Sequence, residues 1–171
     1  KKQRFDVYTK GNMPEILLGD KLRVNQILLN LLSNAIKYTQ ESGDIELRIE
    51  ALKSKKHNHT HLRFEVKDNG FGMSPEFVEI IFEPFARETT EATKHIQGTG
   101  LGMAITKNIV DLMGGTISVT SDIGNGSAFV VDLEFAVADR AQMSQDFWAE
   151  NNVTNVLVVD DEEDICVDIQ E

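Results

Sequence analysis

The sequence predicts an α/β two-layer sandwich, a mostly antiparallel sheet with helices on one face. Three observations point there. Alternating apolar stretches of strand length recur along residues 1–137, and two longer apolar stretches suit packed helices. Their order reads β-β-α-β-β-loop-α-β-β, which leaves one apolar sheet face for the helices to cover.

Gln3–Tyr8 alternates enough for a strand, and Ile16–Leu18 is a short apolar piece. Asp20 suits an N-cap, and a helix is expected from there to about Thr39. Ser42-Gly43-Asp44 reads as a turn. Ile45–Leu52 places Ile45, Leu47, Ile49 and Ala51 on one face, and Leu62–Val66 alternates likewise. The two suggest an antiparallel pair joined by the polar loop Lys53–Thr60. Ser74-Pro75 reads as the N-cap and first residue of a short helix. Arg87–Gln97 is polar and aperiodic, which predicts a mobile loop. Leu101–Met113 suits a packed helix ended by Gly114-Gly115. Thr116–Thr120 and Ser127–Phe135 are two further strands, split by the turn Ile123-Gly124-Asn125-Gly126.

The 171 residues suffice for one domain with a core and a fragment of a second. The chain is 41% hydrophobic and 26% charged, as in a soluble globular protein. No apolar run is long enough to span a bilayer, and the basic start is no signal peptide. With no initiator Met, the chain reads as a piece of a longer protein, so an upstream membrane segment stays open. The lone Cys166 fits a reducing compartment and lies in apolar, acidic surroundings that favour a structural role. Residues 1–137 hold 16 Lys and Arg against 18 Asp and Glu, whereas residues 138–171 hold 1 against 10. The near-neutral first part offers no basic surface for nucleic acid. Residues 138–154 read as a linker, followed by a new element at 155–171.

The stretch NQILLNLLSNAIKYT carries asparagines at 25, 30 and 34, although asparagine is a mediocre helix former. On a wheel at ~100° per residue, Leu22, Val24, Leu28, Leu29, Leu31, Leu32, Ala35 and Ile36 fill one broad half. Asp20, Arg23, Asn30, Asn34, Lys37 and Tyr38 share a narrower arc opposite, while Asn25 falls among the apolar positions. The arc offers amide oxygens, a lysine and an aromatic ring, the groups a magnesium–nucleotide complex needs. It equally describes an ordinary solvated face.

VKDNGFGMS places Asp68, Gly70 and Gly72 just past an apolar strand. An acid there can accept a hydrogen bond from an exocyclic amine, and glycines admit a flat ring; a plain turn would use the same residues. GTGLGMAIT sets Gly98, Gly100 and Gly102 at a helix start, where N–H groups and the dipole favour an anion. This is neither the Walker nor the dinucleotide pattern, and a simple hinge is the alternative. IIFEPFAR places Phe82 and Phe85 three apart, to pin the base of a lid or to pack in the core.

Taken together, DKLRVNQILLNLLSNAIKYT, VKDNGFGMS, IFEPFAR and GTGLGMAIT resemble, in family order, the four boxes of the catalytic ATP-binding domain of sensor histidine kinases. The resemblance covers about residues 1–137. It implies the Bergerat fold, a mixed sheet with ATP held between the helical layer and a flexible lid. It implies that Asn34 is the magnesium ligand, with Asn30 its partner near the phosphates. Lys37 would contact phosphate, and Tyr38 would lie against the nucleotide. Asp68 would accept the adenine amino group, with Gly70 and Gly72 lining the base pocket beside Met73 and Phe85. Gly98, Thr99, Gly100 and Gly102 would hold lid and phosphates, with Leu101 at the helix start. Related hydrolysing ATPases carry a glutamate at the position of Asn30. An amide there implies phosphoryl transfer to a protein acceptor with slow hydrolysis.

The tail NVLVVDDEEDI resembles the start of a receiver domain, with Asp160 and Asp161 as its acidic pair. Only about 17 residues of it are present, too few to bury a core. The parent is therefore expected to be a hybrid kinase, dimeric, with this domain on the cytoplasmic side. None of His57, His59, His61 or His95 has the context of the family's phospho-acceptor, so the acceptor would lie on a separate dimerisation domain. The alternating His57, His59 and His61 are expected to be solvated, and Trp148 to be at most a docking contact. A degenerate binding module and a stand-alone ATPase are the competing functional readings.

Overall fold

The structure, a computed structural model, describes residues 1–88, 90, 93, 94, 96 and 98–138. The expected linker (beyond Ala138) and the receiver-like segment, with Trp148, Asp160, Asp161 and Cys166, lie outside the described residues. Thr89, Glu91, Ala92, His95 and Gln97 of the expected mobile loop do too.

The described elements are β1 (Arg4–Lys10), β2 (Leu17–Leu18), α1 (Lys21–Tyr38), β3 (Asp44–Lys53), β4 (His59–Asp68), α2 (Pro75–Ile80), α3 (Gly102–Leu112), β5 (Thr116–Asp122) and β6 (Gly126–Val137). They build one six-stranded sheet in the order β1-β3-β4-β6-β2, with β5 also paired to β6. All pairings are antiparallel except β1 with β3, which makes the sheet mixed. The loop between β3 and β4 is shorter than Lys53–Thr60. Pairing of β4 with β6 continues to His59↔Ala136 and draws both His59 and Thr60 into the strand.

The core face of the sheet carries Ile45, Leu47, Leu62, Phe64, Val66, Phe129, Val131, Leu133 and Phe135, all buried. α1 contributes Ile27, Leu31 and Ala35, and α3 contributes Met103, Ala104, Ile109 and Val110. Each large apolar side chain buried this way contributes about 1.5–3 kcal/mol. The opposite sheet face is charged and paired, with Arg63 donating to both oxygens of Asp132 at 2.9 and 3.0 Å. His61 shares that carboxylate at 2.9 Å, and the described residues hold no cluster of three or more metal-ligating side chains. No helix among them is long and apolar enough to cross a membrane.

Caps follow the sequence. Asp20 accepts the Arg23 backbone N–H at 3.0 Å, and Ser74 accepts that of Phe77 at 3.2 Å. The apolar half-wheel of α1 needs correction. Only Ile27, Leu31 and Ala35 are fully buried, while Leu22, Leu29 and Ile36 are exposed. A helix lying on a sheet presents one line of contact, narrower than the half-circle its apolar residues occupy. Asn25, on the same side as Leu22 and Leu29, is also exposed.

At the C-cap of α1, Thr39 is fully buried and its hydroxyl has no hydrogen-bond partner. Replacing an unsatisfied buried hydroxyl by a methyl of the same shape removes a desolvation penalty of about 1 kcal/mol. Thr39→Val is therefore expected to raise the melting temperature by a few degrees in a calorimetric scan. A lowered melting temperature would show that the hydroxyl does useful bonding.

Candidate functional site

A cleft of about 230 Å³ opens beneath the residues that follow α2. Its walls come from five segments: Asn34, Lys37 and Tyr38 on α1; Asp68 on β4; Ser127 and Phe129 on β6; Gly72 and Met73 after β4; Gly98, Thr99, Gly100, Gly102 and Met103 at the start of α3. Arg87, Glu88 and Thr93 close it. Most of the sequence-predicted site residues thus converge from positions as far apart as Asn34 and Gly102.

Asp68 ends β4 and is only 7% exposed. Burial raises its pKa, while backbone N–H groups of Gly70 and Ser127 donate to it and oppose that shift. The Gly70 bond measures 2.8 Å. A buried carboxylate held by two backbone donors has one orientation and spare acceptor capacity towards the cleft.

Lys37 sits against Gly98, where any Cβ would approach its Nζ to 2.7 Å, and lies over the Tyr38 ring at 5.5 Å. Burial first, and then the Arg87 charge, lower its pKa. Two cations thus face the same cleft. Asn34 turns its amide nitrogen onto the Met103 sulfur at 3.1 Å, a weak acceptor. Among the described residues nothing donates to its oxygen. α3, an 11-residue helix, begins at the cleft without a side-chain cap for its first N–H groups.

Four predicted site residues stand off the cleft lining. Gly70 acts through its N–H to Asp68. Leu101 is the N-cap position of α3. Asn30 donates its amide to Gly102 O and Thr106 Oγ1, both at 3.1 Å, and so ties α1 to the first turn of α3. Phe85 adopts φ 66° and is 71% exposed. The Phe85 backbone pairs with the segment before α3: its N–H donates to Gly100 O at 3.0 Å. Gly100 has φ 73°, and a Cβ there would meet the Phe85 backbone at 2.7 Å. Phe82 packs against the core, as the alternative reading of the phenylalanine pair expected. Gly72 likewise serves protein packing, since a Cβ would strike Asp122 O.

The sequence reading missed Arg87, Glu88, Thr93, Ser127 and Phe129. Arg87 donates to Ile96 O, and Glu88 accepts the Ser74 backbone N–H at 3.1 Å. Thr93 donates to Glu88 O at 3.0 Å. These bonds hold Arg87, Glu88 and Thr93 at the cleft wall. The FAR triplet before the loop was the available signal for an arginine at the cleft; Ser127 and Phe129 carried none beyond strand alternation.

The chain belongs to the family described as histidine kinase-, DNA gyrase B-, and HSP90-like ATPase, which matches residues 19–137. Hybrid signal transduction histidine kinase A of Dictyostelium discoideum is 41% identical over 76% of this chain and 6% of its own length. Sensor histidine kinase AruS of Pseudomonas aeruginosa is 35% identical over 92% of this chain and 16% of its own. The structure of full-length ShkA in complex with AMPPNP superposes with a TM-score of 0.63 at 32% identity, covering 80% of this chain and 26% of that one. The chain therefore spans a small part of the relatives it matches.

Proposed function

We propose that this domain binds Mg–ATP in the cleft and donates the γ-phosphoryl group to a histidine on a separate dimerisation domain of its parent. Onward relay to a receiver aspartate would follow, and the parent would be a dimeric hybrid kinase. One observation carries the reading: a buried, oriented carboxylate, two converging cations and an uncapped helix N-terminus line one cleft.

Asp68 accepts the adenine amino group, beside Gly72 and Met73, and Tyr38 lies against the nucleotide. Lys37, Arg87 and the first N–H groups of α3 meet the phosphates. Asn30 holds that helix start in place. The donor set fits magnesium brought in by the nucleotide: one neutral amide oxygen at Asn34 completes a shell made mostly of phosphate and water. Magnesium, when bound, would neutralise charge developing on the phosphates. Among the described cleft residues the only carboxylates are Asp68, held by backbone donors, and Glu88, bonded to Ser74 N–H. Neither is placed as a base for water, which favours transfer to a protein acceptor over hydrolysis.

The test supplies the histidine-bearing domain of the parent in trans with γ-labelled ATP and magnesium. Acid-labile label on that domain is expected. ATP binding without transfer would indicate a degenerate module, and release of free phosphate as the main product would indicate a stand-alone ATPase.

A further inference from the structure

Behind the Asp68 wall of the cleft stands a side chain that does not line the cleft and bonds to two residues that do. Ser121, in β5, is off the lining, whereas Ser127 and Met73 are on it. The Ser121 hydroxyl donates to Gly126 O at 2.8 Å, and the Met73 backbone N–H donates to it at 2.9 Å. Ser127 Oγ lies 3.0 Å from it.

The direction of that last bond follows from the other two. A hydroxyl has one proton and two acceptor sites. A carbonyl only accepts, so the Ser121 proton is spent on Gly126 O. A backbone N–H only donates, so Met73 takes one Ser121 lone pair. One Ser121 lone pair remains, and Ser127 must donate to it. The Ser127 hydroxyl therefore has no proton left for the cleft and turns only lone pairs towards it.

The strand register brings these groups together. Ser121 is opposite Ser127 in the antiparallel pair of β5 and β6. Gly126 starts β6 at φ 84°, and a Cβ there would strike Asp68 O, so β6 begins tight against the end of β4. Ser127 is opposite Asp68 in the next pair, and its backbone N–H donates to the Asp68 carboxylate. One wall of the cleft thus carries two neighbouring acceptors, a carboxylate and a hydroxyl oxygen. Two acceptors match a group with two donors, and an exocyclic amine has two hydrogens in one plane.

Resting on the reading that the cleft binds ATP, we propose that Ser121 is a positioning residue for recognition of the base. It turns the Ser127 hydroxyl so that Oγ accepts the second hydrogen of the adenine amine, directly or through one water, while Asp68 accepts the first. A hydroxyl free to rotate would meet the amine with its own proton for part of the time. Ser121 removes that orientation before the nucleotide arrives.

The 171-residue chain is titrated calorimetrically with ATP and with purine riboside triphosphate, which lacks the 6-amino group, each with magnesium. The unaltered chain is expected to prefer ATP by about 30-fold or more, and Ser121→Ala to lower that preference about three- to tenfold. Ser121→Cys, a weak acceptor in the same place, should act in the same direction and serves if Ser121→Ala does not fold. Ser127→Ala should lower the preference as much as Ser121→Ala, and the double variant no further. Equal loss of affinity for both triphosphates in the Ser121 variants would give Ser121 a structural role only and overturn the proposal. Additive losses in the double variant would overturn it too, since Ser121 would then not act through Ser127. An unaltered chain that binds ATP without preferring it would overturn the reading of the amine and leave ATP binding standing. Binding of neither triphosphate would overturn the reading of the cleft, and this proposal with it.

Discussion

Asp68→Asn lowers ATP affinity by about 30-fold or more and leaves the fold intact. The carboxylate accepts from Gly70 N–H and Ser127 N–H and still has lone pairs for a base amine. An asparagine must spend its single oxygen on one of these donors and turn its own NH₂ towards another. Loss of a hydrogen bond to a charged group costs about 1.5–3 kcal/mol. The pH dependence of stability should shrink, although the asparagine NH₂ set against a backbone donor costs some stability at every pH. Burial raises the Asp68 pKa, so the folded chain holds this proton more tightly than the unfolded chain does. The nucleotide-free protein therefore loses stability as pH rises from the unfolded to the folded pKa of this group, and the loss persists above it. Asp68→Asn removes that loss. Isothermal titration and thermal melts at two pH values separate the two effects. Unchanged affinity would show that Asp68 does not read the base.

Asn30→Asp has the second large effect, and it is expected on stability and binding together. Asn30 spends its amide nitrogen on Gly102 O and Thr106 Oγ1. Thr106 Oγ1 itself donates to Gly102 O, so it has only acceptor capacity left for residue 30. A carboxylate cannot donate and would sit against a carbonyl. A penalty of about 2 kcal/mol, a melting temperature several degrees lower and weaker ATP binding are expected. Unaltered stability with a gain of ATP hydrolysis would instead place residue 30 at the phosphates, as the resemblance implied. The amide at position 30 has a structural reason: only a donor ties α1 to the start of α3.

The legibility of the site varies by residue. Asp68, Lys37 and Asn34, which line one cleft, could be singled out from short stretches, Asp68 with Gly70 two residues on and Lys37 one helical turn from Asn34. The roles of Asn30, Gly72 and Phe85 could not. Each depends on a tertiary neighbour: Thr106, the end of β5 and Gly100 respectively. Element order was readable from alternation and caps, since Asp20 and Ser74 act locally. The parallel pairing of β1 with β3 was not, because strand alternation carries no direction. The half-wheel of α1 misled for a related reason. Periodicity reports how many apolar residues face one way, not how many of them find a partner within the same domain. Leu22 and Leu29 belong to the pattern and stay outside the core.

The measurement that bears most directly on the central claim is an ATP titration of the chain with and without magnesium, read by amide chemical shifts. Saturable, magnesium-strengthened binding is expected, with shifts at Asp68–Met73, Asn34–Tyr38 and the start of α3. Absence of binding at millimolar nucleotide, or shifts confined to residues away from this cleft, would contradict it.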